Sequence, residues 1–148
     1  MTMLRTAAAM LLMALPAAAE AADGPTLYKR CAACHLATGA GVPGAFPSLK
    51  TEPATLAAKP DGRRFLVLAV TRGLAGPLVA DGKTYRGVMP AQPMKDDEVA
   101  AVLNHVLDAI ATADKTVTRF SADEVGGIRK GGAALTPRQV AELKAAIR

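Results

Sequence analysis

The apolar positions of this chain are spaced in a way that predicts short amphipathic helices. From Asp96 to about Ala113, apolar side chains recur at the i, i+3, i+4 interval that lines one face of a helix. They are Val99, Val102, Leu103, Val106, Leu107 and Ile110. Three acidic residues, 96–98, occupy the first turn, where the helix dipole stabilises negative charge. This segment is therefore predicted to be a helix with one buried face.

Two further helices are predicted in the first half of the chain. Asp23 can cap a helix from about Gly24 to Cys34, in which both cysteines share one face with Leu27. Asp61 can cap a second helix over residues 62–72, whose apolar residues form a stripe.

The segments between these helices are rich in glycine and proline. Residues 38–49 are predicted to form a wrapped loop, and a loop of this length in a compact domain is expected to have a function. Farther on, Asp81-Gly82 separates the short runs 78–79 and 84–85, which indicates a small hairpin.

The last part of the chain, residues 114–148, is predicted to be a helical extension. Ser121 and Glu124 form one capping box, and Thr136 and Gln139 form a second, so each pair predicts the start of a short helix. We expect this extension to pack on the preceding domain or on a partner, and we assign no chemistry to it.

The first 21 residues have the pattern of a cleaved signal peptide. Arg5 gives a positive start, residues 6–15 form an apolar run, and cleavage after Ala19 or Ala21 fits a small-residue rule. The run is too short to span a bilayer, although an uncleaved anchor is the alternative. The mature protein is therefore expected in the periplasm, with no stable membrane span.

Length and charge limit the classes of function. At 148 residues the chain is long enough for one domain with an appendage, and its formal net charge is +5. A mildly basic surface favours partners with acidic docking patches. Nucleic acid is a poor fit, because the chain has no basic run of five or more residues and is expected to be exported.

The stretch from Cys31 to His35 has the Cys-x-x-Cys-His pattern by which c-type haem is attached. Cysteines three residues apart project from the same side of a helix, so both sulfurs can form thioethers with one edge of a porphyrin. The adjacent imidazole can then bind the iron. One covalent haem c would also supply the apolar mass that a chain with no tryptophan lacks.

Three other interpretations of the motif are weaker. A redox-active Cys-x-x-Cys normally lies near a βαβ pattern, and no strand-like run precedes Cys31. A zinc site needs four ligands, and only His105 remains as a nitrogen donor. A disulfide between Cys31 and Cys34 would constrain little of the chain.

A six-coordinate haem needs a second axial ligand, and the chain offers four candidates. Met89 precedes Pro90, which favours an extended loop able to present the side chain. Met94 lies at a helix entrance, where a packing role is the alternative. His105 lies beside the apolar stripe of its helix, and Lys83 is a further possibility. Met89 is favoured on these grounds.

The ordered series of motifs resembles the class I cytochromes c. The resemblance is carried by 31–35, by the loop 41–49, by the segment 73–90 that ends in Met-Pro, and by the helix 96–110. It is nearest to the small cytochromes and haem subunits of bacterial periplasmic dehydrogenases, oxidases and nitrite reductases. It spans about residues 24–112.

The resemblance implies an all-α fold, with short helices around one covalent haem and a small hairpin in the methionine loop. The division that follows is a signal peptide at 1–21, a haem domain at 22–113 and a C-terminal helical extension at 114–148.

The resemblance also implies the roles of individual residues. The resemblance implies that Met89 is the sixth ligand of the iron that His35 binds. It also implies that the Pro47 carbonyl accepts a hydrogen bond from the imidazole N–H, which would orient the ring.

Three positions depart from the family pattern. Tyr28 lies three residues before the first cysteine instead of four, and His105 stands where an aromatic residue is usual. Arg86 stands where an asparagine is expected before the Gly-Val-Met sequence that ends in Met89.

The expected function is periplasmic single-electron transfer to or from a redox partner protein, a dehydrogenase, oxidase or reductase. The chain would then be an electron carrier and not an enzyme. One alternative is a haem subunit fixed within a dehydrogenase or reductase complex, docked through its extension. The other is a haem sensor or enzyme with a labile sixth ligand.

Overall fold

The computed structural model describes residues 22–147, and the predicted signal peptide lies outside them. Most of the regular structure in this range is helical, as the sequence predicts for an all-α protein. The helices are α1 (Gly24–His35), α2 (Glu52–Ala57), α3 (Pro60–Arg72), α4 (Asp96–His105), α5 (Ala122–Gly131) and α6 (Pro137–Ala146). A π-helical turn, Val106–Ile110, continues α4 directly. The predicted all-α architecture of short helices is therefore present.

The crossing of α1 and α4 forms the centre of the core. A β-carbon on Gly24 would lie 2.6 Å from the Ala101 carbonyl oxygen, so the two backbones approach closely only because Gly24 has no side chain. Tyr28 is 4% exposed, and its ring centroid lies 5.3 Å from that of His105. Its hydroxyl donates a hydrogen bond to the Leu36 carbonyl, at 3.0 Å. Tyr28 and His105 therefore form one packed pair at this crossing.

The start of α3 differs from the prediction. The helix begins at Pro60, with Lys59 as the N-cap residue, so Asp61 lies inside the first turn. Proline fits this position because its fixed φ suits a helix and its missing N–H would have no partner there. Asp61 therefore contributes its charge to the helix dipole instead of a capping hydrogen bond.

Four short strands within residues 22–147 form two antiparallel pairs, one inside the other along the chain. In the inner pair, β2 (Leu78–Ala80) and β3 (Lys83–Tyr85) make the predicted hairpin. Its turn residues Asp81 and Gly82 have φ of 47° and 71°, which is the left-handed backbone that a tight hairpin needs. In the outer pair, β1 (Leu74–Ala75) bonds to β4 (Val88–Met89). No pattern in the sequence predicts this outer pair, whose strands are two residues long.

The C-terminal extension packs on the rest of the chain. α5 lies against α3 and α4, while α6 lies against α3, β1 and β2. Phe120 and Val125 belong to the same buried cluster as the α4 stripe, and Val140 and Ala141 pack with the outer side of α3. Of the two predicted outcomes, packing on the chain's own domain is the one observed.

Arg63 of α3 is the main polar attachment of the extension. Its Nε and Nη2 each donate to a carboxylate oxygen of Glu124 at 2.6 Å. Nη1 donates to the carbonyls of Thr118, at 2.7 Å, and Ala57, at 3.1 Å. The guanidinium carbon lies 4.0 Å from the centre of the Phe120 ring, a cation–π arrangement.

This network changes one predicted cap. Ser121 accepts a hydrogen bond from the Glu124 N–H at 3.2 Å, as predicted, but the Glu124 carboxylate is bound to Arg63 instead of completing the box. A tertiary ion pair therefore replaces half of a local motif. The box of Thr136 and Gln139 is formed completely.

Candidate functional site

The two cysteines lie on the last turns of α1, with the histidine at its final residue. Both cysteines are free thiols and are partly buried. Burial raises the pKa of the Cys31 thiol, so the protonated form is favoured in the folded chain. Cys31 lines a cavity with a volume of about 850 Å³, and Cys34 lines an adjoining cavity of about 550 Å³. Both volumes include the space at the open mouth of the cavity.

His35 is 8% exposed and is held in one orientation by the loop that follows α1. Its Nδ1 lies 2.8 Å from the Pro47 carbonyl oxygen, the hydrogen bond implied by the resemblance. A carbonyl can only accept, so Nδ1 carries the proton and the lone pair is on Nε2. Burial lowers the pKa of His35, and the bond to Pro47 acts in the opposite direction. The neutral imidazole is the form that binds a metal ion.

Glycine is required where this loop passes close to itself. Gly41 has φ of 65°, and a β-carbon there would lie 2.4 Å from the Phe46 carbonyl oxygen and 2.6 Å from the Pro47 carbonyl. Its N–H donates to the His35 carbonyl at 3.0 Å. The predicted wrapped loop therefore brings Pro47 back to the end of α1.

The two cavities share one set of walls. Five residues line both: His35, Pro47, Leu74, Leu78 and Met89. Much of the remaining wall of the larger cavity is apolar, and seven of its residues are aliphatic side chains of α3, α4 and the π-helical turn. The arrangement is an apolar cleft that brings together an imidazole and a thioether from segments 54 residues apart, counted from 35 to 89.

Met89 is placed by the outer strand pair. It lies opposite Leu74 in the register of β1 and β4, and it is partly buried, while its neighbour Val88 is 71% exposed. Gly73, which precedes β1, has φ of 78°. A β-carbon there would lie 2.5 Å from the Met89 carbonyl oxygen. Close approach at Gly73 therefore sets the position of Met89 at the cleft.

The other candidates for an axial ligand lie elsewhere in the described part of the chain. Met94 is 5% exposed and packs in the core cluster that includes Val99, which matches the predicted packing role. His105 contacts the Tyr28 ring. Lys83 is exposed in β3. None of these three candidates lines either cavity.

Two lining residues come from the extension, to which sequence analysis assigned no chemistry. Phe120 and Lys144 both lie in the wall of the larger cavity. Phe120 directly precedes the cap Ser121 and packs in one cluster with Val125, the arrangement of a hydrophobic staple. That local pattern could have indicated that Phe120 is buried, but no local pattern points to Lys144.

The residues present fit a covalently attached haem. The thiols lie next to a histidine whose Nδ1 is already bonded, and the cleft beyond them is apolar and also contains a methionine. Among residues 22–147 no three His, Cys, Asp or Glu side chains are grouped closely enough to hold a metal ion by themselves. Within the same range, no helix is long and apolar enough to cross a membrane.

The chain is similar in sequence to known cytochromes. The family model described as "Cytochrome c" matches residues 21–109. A cytochrome c-552 of Thermus thermophilus is 43% identical over 141 residues, which is 93% of each chain. A second cytochrome c-552 of the same species is 43% identical over 80% of this chain and 92% of its own length.

A further relative is larger than this chain. The fructose dehydrogenase cytochrome subunit of Gluconobacter japonicus is 32% identical over 74% of this chain, but the match covers 22% of that subunit. Family membership supports electron transfer by a c-type haem as the function. The chain belongs to the cytochrome c family.

Proposed function

We propose that this protein is an exported single-electron carrier with one haem c, attached through Cys31 and Cys34 and ligated by His35 and Met89. The observation that carries the proposal is the pairing of His35 and Met89 in the walls of one apolar cleft. When bound, the haem supplies an iron that changes oxidation state by one electron. The mature chain would consist of the haem domain 22–113 and the extension 114–148.

The surroundings of His35 support its role as the proximal ligand. Pro47 accepts from Nδ1, so Nε2 is left to donate its lone pair, and the bond makes the imidazole more basic. Because the ring is 8% exposed and its bond to Pro47 is short, it need not reorient when the charge on the iron changes. Small reorganisation favours rapid electron transfer.

Met89 would close the other side of the iron. A His/Met pair raises the reduction potential relative to ligation by two nitrogens, and a bound methionine leaves no open position for a substrate. An electron carrier therefore fits the site better than a sensor or an enzyme with a labile sixth ligand.

Docking to a redox partner would use the surface around the smaller cavity. Phe46 and Val88 line this cavity and are exposed, at 37% and 71%. The formal charge of +5 favours a partner with an acidic patch, so that association is steered by charge. The interface of such a transient electron-transfer complex is expected to be small. An exported location, proposed from residues 1–21, agrees with attachment of haem c outside the cytoplasm.

The similarity to a fructose dehydrogenase cytochrome subunit favours a second candidate, in which this domain is a fixed subunit of a dehydrogenase. In that case the extension was expected to be the docking arm. The extension is instead held by its own domain, for example by two hydrogen bonds from Arg72 to the Leu135 carbonyl, at 3.0 and 2.8 Å. If the protein without residues 114–148 still associates with the dehydrogenase, the extension is not the docking arm.

The test of the site is a pair of methionine variants. Met89→Ala should remove the far-red sulfur-to-iron absorption band of the oxidised protein and lower its reduction potential, because the thioether ligand is lost. Met94→Ala is the matched control and should keep the band, since Met94 lies in the core. A band that survives the first change and is lost in the second would transfer the ligand role to Met94. Strong carbon monoxide binding by the reduced wild-type protein would instead favour the sensor.

A further inference from the structure

An ion pair lies in the wall of the larger cavity, which is lined mostly by apolar side chains. Lys144 of α6 and Glu52, the first residue of α2, both line this cavity, and Lys144 Nζ lies 2.8 Å from Glu52 Oε2. The two side chains are 13% and 28% exposed. Among the described residues that line either cavity, Lys144 is the one lysine or arginine.

Both members of the pair are fixed by backbone contacts as well. Glu52 Oε1 accepts a hydrogen bond from the Asp81 N–H at 3.0 Å, and Lys144 Nζ donates to the Val79 carbonyl. The pair therefore joins α2, the hairpin and α6 at one point of the cavity wall. An ammonium group has three N–H donors, and these two contacts use two of them. One donor of Lys144 is left for another acceptor.

A haem brings carboxylates into this cleft. The two propionates of a bound haem would lie away from Cys31 and Cys34, because they are carried by the half of the porphyrin that has no vinyl groups. In this chain the cysteines are on α1, which packs on α4, whereas Lys144 is on α6, which packs on α3, β1 and β2. A carboxylate in an apolar cleft is costly unless it is paired with a cation.

We propose that Lys144 binds a haem propionate with its third N–H, shares its charge between that propionate and Glu52, and so helps to set the reduction potential. The inference rests on the proposed function, since it requires the haem. It makes the C-terminal extension a part of the cofactor site as well as a packing element.

The signs of the expected effects follow from charge alone. A cation near the haem stabilises the reduced form, which is less positive by one charge, and an anion stabilises the oxidised form. In a cleft of low dielectric these interactions are stronger than in water. Lys144→Gln should therefore lower the reduction potential, and Glu52→Gln should raise it. If the ion pair only links α2 to α6, its loss should lower the thermal stability of both variants and leave the reduction potential unchanged.

The test compares reduction potential, thermal midpoint and haem content in the holoprotein. Lys144→Arg keeps the charge and should keep a potential near that of the wild type. Arg119→Gln is the matched control, because Arg119 pairs with Asp108 at 2.5 Å and neither residue lines either of these two cavities. The expected result is opposite shifts of potential in Lys144→Gln and Glu52→Gln, and none in the control.

Potentials that match the control in both variants, or that shift in the same direction, would overturn the inference. If Lys144→Gln does not fold, Glu52→Gln decides the question by its sign. Absence of covalent haem from the wild-type protein would instead refute the proposed function, so the two failures are distinguished by the haem content measured first.

Discussion

Substitution of Gly73 by alanine should damage the methionine side of the cleft. Gly73 has φ of 78° and ψ of 178°, a combination that only glycine adopts readily, so alanine there costs about 1–3 kcal/mol. The new β-carbon would also lie 2.5 Å from the Met89 carbonyl oxygen and 2.8 Å from the Ala91 nitrogen. Forcing these backbones apart costs about 1–3 kcal/mol more, the range for overpacking. Gly73→Ala should therefore destabilise the fold by about 2–6 kcal/mol.

The functional consequence follows from the direction of the clash. The added methyl group would push on the backbone of Met89, so the sulfur that we propose as the sixth ligand would be displaced from the iron. The oxidised variant should show a weaker far-red band, and the reduced variant should bind carbon monoxide. Denaturant unfolding and absorption spectra of the same preparation measure both effects.

Gly82→Ala provides the matched control. Gly82 also has a positive φ, 71°, but no atom lies within 4 Å of the β-carbon position. It should cost only the conformational penalty of about 1–2 kcal/mol and leave the band intact. If Gly73→Ala keeps the full band and is no less stable than Gly82→Ala, close approach at Gly73 does not set the position of Met89.

Two further predictions concern the packing of the domain. Arg63→Met should destabilise the fold by about 2–4 kcal/mol, which is less than the loss of a fully buried ion pair would cost, because Glu124 is 30% exposed. Arg138→Ala is the control. Because Arg138 is exposed, its loss should change stability by under about 0.5 kcal/mol in the same denaturant titration. Burial raises the pKa of Tyr28 from 10.0 to about 12, so the folded chain favours the neutral phenol. Stability should therefore be full below pH 10 and fall as the pH rises to about 12, and Tyr28→Phe should remove this alkaline loss while costing about 1 kcal/mol for the lost hydrogen bond. If Tyr28→Phe loses as much stability at alkaline pH as the wild-type protein does, another group is responsible for the loss.

Local patterns in the sequence predicted those parts of the fold that local energetics decide. The α4 stripe, the Asp81-Gly82 turn and the Thr136 capping box each depend on residues within a few positions of one another, and each is present. The outer strand pair was not predicted, because two-residue strands carry no alternation. The pair depends on contact between residues that are 15 positions apart, Leu74 and Met89.

The residues of the site also fall into two groups, those that the local sequence indicates and those that depend on tertiary packing. The motif at 31–35 and the bond from His35 to Pro47 were accessible from spacing and resemblance. The contributions of Phe120 and Lys144 were not, because they depend on how α5 and α6 return to α3. The Glu124 carboxylate shows the same limit, since its bonds to Arg63 replaced the local cap that its spacing predicted.

The most direct test of the account is an optical redox titration of the purified holoprotein. We predict covalently bound haem, one reversible one-electron transition, and a far-red band that is present only in the oxidised form. The absence of a reversible transition, or more than one haem transition per chain, would contradict the assignment of a single His35/Met89 haem that carries one electron.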